Sequence, residues 1–491
     1  MQDQMLRSSS PYPKIKLLPP TLLTRVTAYL SRHAMLIPPS QRIGVAVSGG
    51  ADSVVLLHLL HQLCSHFACQ LHVLHVNHHL RAAASDADES FVRQLAASFD
   101  LPITIEQAQP PSTQIEQQTR DLRRTFFQRA MRECNLNAVA LGHTRSDQAE
   151  TVLFRLLRGT GITGLAAMRP VTSDHLIRPL LSCTRAEIRE WATAQNITWR
   201  DDSSNLDTAF TRNRLRLETL PNLAATYNPN LEALLAQFAD LAQTEEGYWQ
   251  HEIDALYPQF VAQTRFGLQI AVSKLLGLHL TVQRRLLRRA ILALRGHLHA
   301  IECEHIDAVL ALCQTEEGHN RVIIPGVDAL RSFSQLLLSE NGVRAAQERA
   351  YYIELRPGHQ YELPFGGGFL SLNWLNSDDH RDICANFKKE QEHIFEICDW
   401  DGDLLAPSGT LPSLHVRNWQ PGDAWQRPGH RSEEKIKTLF QAGKVLLWER
   451  KHWPVVLAGS EIVWVRQFGG SAGVTAAAGS RNILRLVYRQ A

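Results

Sequence analysis

A short apolar run that ends abruptly on glycine restricts the fold more than any other feature. Ile43-Gly-Val-Ala-Val47 is small and apolar throughout, as in a strand covered on both faces, and Ser48-Gly49-Gly50-Ala51-Asp52-Ser53 follows without a break. Residues 54–63 then carry the apolar spacing of a helix. Glycines let the backbone turn tightly and aim several N–H groups at one point. The helix adds the positive end of its dipole, so the turn suits phosphate. No Gly-Lys-Ser/Thr follows, which excludes a Walker A loop, and the spacing is not that of a dinucleotide fingerprint. Asp52 inside such a turn repels phosphate unless a divalent cation lies between them. The competing reading is a plain glycine turn in which Asp52 and Ser53 cap the helix.

The alternation continues on both sides of this turn. An amphipathic helix begins after Thr21, with Leu22, Val26, Tyr29 and Leu30 on one face. Strands are expected at residues 72–76, 103–105 and 138–141, and helices at 86–97, 116–134 and 148–158. This order predicts an α/β fold with a doubly wound parallel sheet. The expected organisation is a flexible leader (1–20), a catalytic α/β domain (21–216), a helical domain (217–345), a strand-rich connecting segment (346–400) and a small C-terminal α/β domain (401–491). Residues 231–260, 282–295 and 303–313 supply the helices of the second domain.

Composition excludes several classes of protein. Lys plus Arg total 51 and Asp plus Glu 49 in 491 residues, so any nucleic-acid contact must come from local basic patches. The longest weakly polar stretch, 267–282, is interrupted by Lys274 and His279, and residues 1–20 contain no hydrophobic signal core. The 8 cysteines form no Cys-x-x-Cys pair and read as reduced thiols, so a cytoplasmic location without a membrane span is expected.

The Ser-Gly-Gly-x-Asp-Ser turn resembles the signature of the PP-loop ATP pyrophosphatases, which split ATP into AMP and pyrophosphate. Further stretches resemble the tRNA(Ile)-lysidine synthetases within that superfamily. They are His75-Val-Asn-His-His-Leu-Arg81, Arg120-Asp-Leu-Arg123-Arg124-Thr-Phe126, Leu141-Gly-His143-Thr-Arg-Ser-Asp147-Gln148-Ala-Glu150-Thr151, and Trp199-Arg-Asp-Asp-Ser-Ser-Asn205 with Arg212-Asn213-Arg214. Arg417-Asn-Trp-Gln-Pro-Gly-Asp423 and Lys435-Ile-Lys437-Thr-Leu-Phe440 resemble the last domain of the same family. The resemblance implies that Ser48, Gly49, Gly50, Ala51, Asp52 and Ser53 hold the tail of ATP. It further implies that Asp52 and Asp147 ligate Mg2+, with Arg123 stabilising charge on the α-phosphate and His143 orienting base or nucleotide. The implied reaction joins L-lysine to the wobble cytidine of tRNA(Ile) with a CAU anticodon, and a homodimer is common among such enzymes. One departure stands out: the family carries two aspartates where this chain has Ser146-Asp147. Two rivals stay open, a thiolase-like PP-loop enzyme and a tRNA-binding module whose metal site has decayed.

Other patterns are weaker. Gly159-Thr-Gly161-Ile-Thr-Gly164 fits Gly-x-Gly-x-x-Gly, but a helix precedes it rather than a strand. His72, His75, His78 and His79 do not converge on one strand face, which argues against zinc. Gly366-Gly-Gly368 reads as a hairpin turn. For RNA, the helix 283–295 carries Arg284, Arg285, Arg288 and Arg289, a candidate phosphate stripe with Arg285 and Arg289 as its members facing RNA. Arg417, Lys435 and Lys437 lie among Trp419, Trp425 and Trp448, a second candidate surface, with a basic face over an aromatic core as its rival.

Overall fold

The computed structural model describes residues 21–36, 41–79, 83–108, 115–201, 207–315, 319–341, 350–376, 395–477 and 479–490. The leader 1–20 and residues 202–205 of the Trp199–Asn205 motif lie outside them. The chain divides into two compact units, residues 1–249 and 250–491.

The first unit is built on five parallel strands: β1 (Gln41–Ala46), β2 (Cys69–Asn77), β3 (Ile103–Gln107), β4 (Ala138–Ala140) and β5 (Leu176–Ile177), in the order β3-β2-β1-β4-β5. Helices α1 (Leu22–Arg32), α2 (Ala51–Phe67), α3 (Ala83–Ser98), α4 (Ile115–Glu133), α5 (Arg145–Leu157), α6 (Ile162–Leu165) and α7 (Arg185–Ala194) surround the sheet. Side chains leave a strand alternately to either side, so neighbouring residues serve different cores. Val73, Ala138 and Ala140 join Val26, Val54, Leu57 and Ile188 on one face. Leu74 and Val139 join Phe126, Phe127 and Ala130 of α4 on the other. The sheet is therefore doubly wound, as the alternation predicts. The chain grows from β1 outward to β3, then returns to place β4 on the opposite side of β1. This reversal opens a crevice beyond the carboxyl ends of β1 and β4, where ligands bind in such folds.

Two boundaries differ informatively from the sequence expectation. Helix α2 starts at Ala51, with Gly50 as its cap, so Asp52 and Ser53 lie in the first helical turn rather than before it. Helix α5 starts at Arg145 because Thr144 caps it. Beyond α7 come α8 (Thr211–Arg214), a π-helical turn (Leu215–Thr219), α9 (Leu220–Thr226) and α10 (Leu231–Phe260), whose first part belongs to this unit.

The expected helix 231–260 is α10. In the second unit, the expected helices 282–295 and 303–313 are present as α12 (Leu280–Arg295) and α13 (Cys303–Gln314), preceded by a short α11 (Val272–Leu276) that the sequence did not announce. They pack on an antiparallel sheet absent from the sequence expectation. Its strands are β6 (Val261–Thr264), β7 (Gly267–Ala271), β8 (His319–Ile324), β9 (Val327–Ser332) and β10 (Gln335–Glu340), ordered β6-β7-β10-β9-β8. Two further sheets follow. One comprises β12 (His359–Leu363), β13 (Gly368–Asn376), β14 (Phe395–Asp401) and the final strand Asn482–Arg489. The other contains β11 (Tyr352–Leu355) with Leu414–Asn418, Pro454–Ala458 and Glu461–Val465. Gly366-Gly-Gly368 links β12 to β13 as a hairpin connection, with Gly368 at φ +98°.

Candidate active site

The Ser48–Ser53 turn leaves β1 at the crevice. Gly49 sits at φ +96°, a conformation few other residues adopt without strain. The turn is braced internally: the Ser48 N–H donates to Ser53 Oγ at 3.1 Å, and that hydroxyl donates to the Gly50 carbonyl at 3.0 Å. From outside, the His75 Nδ1–H donates to the Val47 carbonyl at 2.7 Å and the Arg200 N–H to the Gly49 carbonyl at 3.0 Å. His75 is thus a structural brace; His72 instead meets Thr104, and His79 meets Gln107.

Gly142, just after β4, closes over this turn. A Cβ there would lie 3.1 Å from the Ser53 nitrogen and 3.2 Å from the Asp52 carbonyl carbon, both backbone atoms with little room to yield. Gly142→Ala is therefore expected to push the turn out of register and weaken ATP binding by roughly tenfold or more, since ångström misplacements carry costs of that order. Calorimetric titration with ATP checks this. Unchanged affinity would show that the approach is not limiting.

Asp52 faces the crevice. Its Oδ1 is buried and has no hydrogen-bond partner among the described residues, while Oδ2 lies 3.6 Å from Arg185 Nε. Burial and repulsion from Asp147 push the carboxyl up to about 6, against the pull of Arg185. An orphaned, electron-rich oxygen of this kind fits a hard cation.

Asp147 caps a helix. It occupies the third position of α5 and closes a capping box: Oδ2 accepts the Thr144 N–H at 2.8 Å and the Thr144 hydroxyl at 2.9 Å. Its Oδ1 accepts from Arg185 and, at 3.4 Å, from Arg216. Burial raises this carboxyl, but Arg185, His143 and the cap outweigh it and hold it below the usual range. Both oxygens of Asp147 are thus engaged, by Thr144 on one side and by Arg185 and Arg216 on the other. Glu150 receives Arg185 at 3.1 Å and Arg216 at 2.8 Å. Ser146, standing where an aspartate was expected, donates to Glu232 at 3.0 Å and accepts the Arg185 N–H at 3.1 Å. It ties α5 to α10 and α7.

His143 completes the cluster. Its Nδ1 accepts from Arg178 Nε at 3.2 Å, so the ring's proton sits on Nε2, which presents a donor. Burial, then the charges of Arg178, Arg123 and Arg120, lower it from 6.5 to about 4, with Asp147 opposing. Above pH 6.5 the ring is neutral in folded and unfolded chain alike. Between 6.5 and about 4 only the unfolded chain takes up the proton, so acidification over that window costs stability. NMR of imidazole-labelled protein should show His143 uncharged at about pH 5.5; a midpoint near 6.5 would contradict the site. Arg123 stands exposed on α4, donates to the Thr119 carbonyl at 3.4 Å and contributes its charge to this cluster.

Comparison with known proteins decides the family. The PP-loop domain matches residues 22–223, the TilS substrate binding domain 270–351 and the TilS substrate C-terminal domain 414–487. A tRNA(Ile)-lysidine synthase of Solibacter usitatus (strain Ellin6076) is 41% identical over 445 residues, covering 91% of this chain and 97% of its own length. The chain belongs to the tRNA(Ile)-lysidine synthase family. The synthase of Geobacter sulfurreducens is 33% identical over 480 residues (96% of this chain, 98% of its own). That of Symbiobacterium thermophilum is 30% identical over 501 aligned positions (96% and 98%). As a member of this family, the chain carries a PP-loop ATP-binding domain, and no helix among its described residues is long and apolar enough to cross a membrane.

For a lysidine synthase family member, the candidate RNA residues separate into two groups. Arg289 is paired with Asp254 at 2.7 Å and lies over Tyr257, while Arg284 holds Asp307 at 2.8 Å, so much of the α12 stripe is already neutralised. Arg285 is half-buried on the same helix. Arg417 turns inward to Asp423 in a pair of bonds at 2.8 Å, both side chains about a tenth exposed. Trp425 and Trp448 are buried, which favours the aromatic-core reading over a stacking platform. Lys435, Lys437 and Arg214 offer their charge at or near the surface. Asn213 donates to the Asp207 carbonyl at 2.9 Å, and Arg212 approaches the Phe154 ring at 5.7 Å. Sequence reasoning missed Arg178, Arg185 and Arg216. The only signal was Thr184-Arg-Ala-Glu187, a capping box that marks the start of α7 without showing that Arg185 points into the crevice.

Proposed function

We propose that this chain joins L-lysine to carbon 2 of the wobble cytidine of tRNA(Ile) with a CAU anticodon, forming lysidine and converting ATP to AMP and diphosphate. The observation that carries this reading is the meeting of the Ser48–Ser53 turn with the His143–Glu150 segment at the topological switch between β1 and β4. The turn's amides and the α2 N-terminus suit the β- and γ-phosphates. Asp52 would hold a magnesium ion, which supplies charge neutralisation at the triphosphate. The cytosine leaves the anticodon stack to reach the crevice. Its O2 attacks the α-phosphorus and pyrophosphate departs, with Arg123 placed to offset the developing charge. An amino group of lysine then attacks carbon 2 and AMP leaves, because adenylation has turned a poor leaving oxygen into a good one. The neutral His143 offers its Nε2–H to an acceptor on base or nucleotide.

A thiolase-like chemistry finds less support: Cys183, beside α7, is fully buried, and burial raises its thiol. Incubating the protein with lysine, ATP and the tRNA, then analysing the anticodon nucleosides by mass spectrometry, tests the proposal. Lysine attached to the wobble cytidine is the expected result; unmodified cytidine with RNA bound would favour a decayed binding module.

A further inference from the structure

A cavity of about 380 Å³ opens beside the catalytic cluster, lined by arginines from three helices. Thr151, Phe154, Arg155 and Arg158 line it from one face of α5 and its C-terminal cap, at the three- and four-residue steps that share a helix face. Arg120 of α4 and Arg212 of α8 complete the wall. The position is close to the chemistry on two counts. Thr151 donates its hydroxyl to the Asp147 carbonyl at 2.7 Å, and Arg120 precedes Arg123 and, with it, acts on His143.

The guanidiniums are held ready for a ligand. Arg155 donates to the Gly164 carbonyl at 2.6 Å, and Arg158 lies over the Phe154 ring at 4.2 Å. Among the described residues no Asp or Glu lines the cavity. Arg120, Arg155 and Arg158 together concentrate positive charge on one cavity, which suits an external anion. ATP's tail is served by the Ser48–Ser53 turn, and free lysine carries a net positive charge that this wall repels. Planar guanidinium forks match phosphate oxygens two at a time. With one face of Phe154 covered by Arg158, the ring orders the cations rather than stacking a base.

We infer that this arginine-walled cavity receives a phosphodiester of the RNA strand adjoining the nucleotide being modified, and so positions the strand at the crevice. The inference rests on the RNA-modifying function proposed above. Its test measures binding of a CAU anticodon stem-loop RNA, over a range of salt, to the full chain and to R158Q, R158K and R120Q/R158Q.

Removing one phosphate-binding cation makes the slope of log K against log salt shallower by about 0.7–0.9. The double variant should therefore show a slope shallower by one or two such steps and roughly tenfold weaker binding near physiological salt. R158K should retain the slope, and ATP affinity should stay at the wild-type value. An unchanged slope in the double variant overturns the inference. So does weakened ATP binding with RNA affinity intact, which would assign the cavity to the nucleotide. Should the double variant fail to fold, R158Q alone decides by the same slope. The wild-type reaction is run in parallel: if it yields no lysine-bearing RNA while the variants still lose slope, the cavity's role stands and the proposed function falls.

Discussion

Asp52→Asn is expected to reduce lysidine formation by about 10²–10³-fold in kcat, the usual scale for losing one group that stabilises charge in a reaction. RNA affinity should be nearly unchanged, because Asp52 lies in the first turn of α2 and faces the crevice rather than an exposed basic surface. Stability should move the other way. The native carboxyl is pushed up to about 6 from 3.8, so its ionised form is disfavoured by folding. That cost is fully present above about pH 6 and vanishes below about 3.8. The asparagine chain should therefore unfold at a higher denaturant concentration than wild type at about pH 8, with the difference shrinking as pH falls through 6. Lost activity together with lost stability at that alkaline pH would show that Asp52 braces the turn rather than serving its ligand.

Arg185→Ala tests the cluster itself. Arg185 reaches Asp52, Asp147 and Glu150, at 3.6 Å and 3.1 Å for the first and last. Without it Arg216 alone faces Asp147 and Glu150, and Asp52 loses its nearest cation. Removing one partner from a buried ion pair costs about 3–5 kcal/mol. Because the Arg185 side chain is about a fifth exposed, about 3 kcal/mol is the expected loss. Hydrogen exchange at the first amides of α5 should accelerate more than exchange in β1, because the loss centres on the Asp147 cap. Arg185→Lys should recover part of the protection, as a single point charge cannot span three carboxylates. Unaltered exchange in Arg185→Ala would mean that Arg216 suffices.

Local features made the catalytic fold readable. Ile43–Val47 is apolar because a central parallel strand is covered on both faces, and Ser48–Ser53 advertises its turn through glycines whose conformation other residues avoid. The sheet of the second unit was hidden for the same kind of reason. Its strands run only 4 to 6 residues, and β6 exposes its two middle residues, so no sustained alternation marks them. In the site, residues that act through the backbone were visible, whereas those that act through distant partners were not. Arg216 finds Glu150 across 66 positions, and Arg185 finds Asp147 across 38. Arg289 and Arg417 are each held in an ion pair, the first by a residue 35 positions away and the second by one only 6 away. Their spacing and context read as exposed cations, but Asp254 and Asp423 had already claimed them.

The most direct test of the account follows labelled phosphate from ATP carrying 32P at the γ position, incubated with the protein, lysine and the CAU-anticodon tRNA. The account requires the label to leave as pyrophosphate, with AMP formed in equal amount and only when RNA is present. Label released as orthophosphate with ADP as co-product would contradict it.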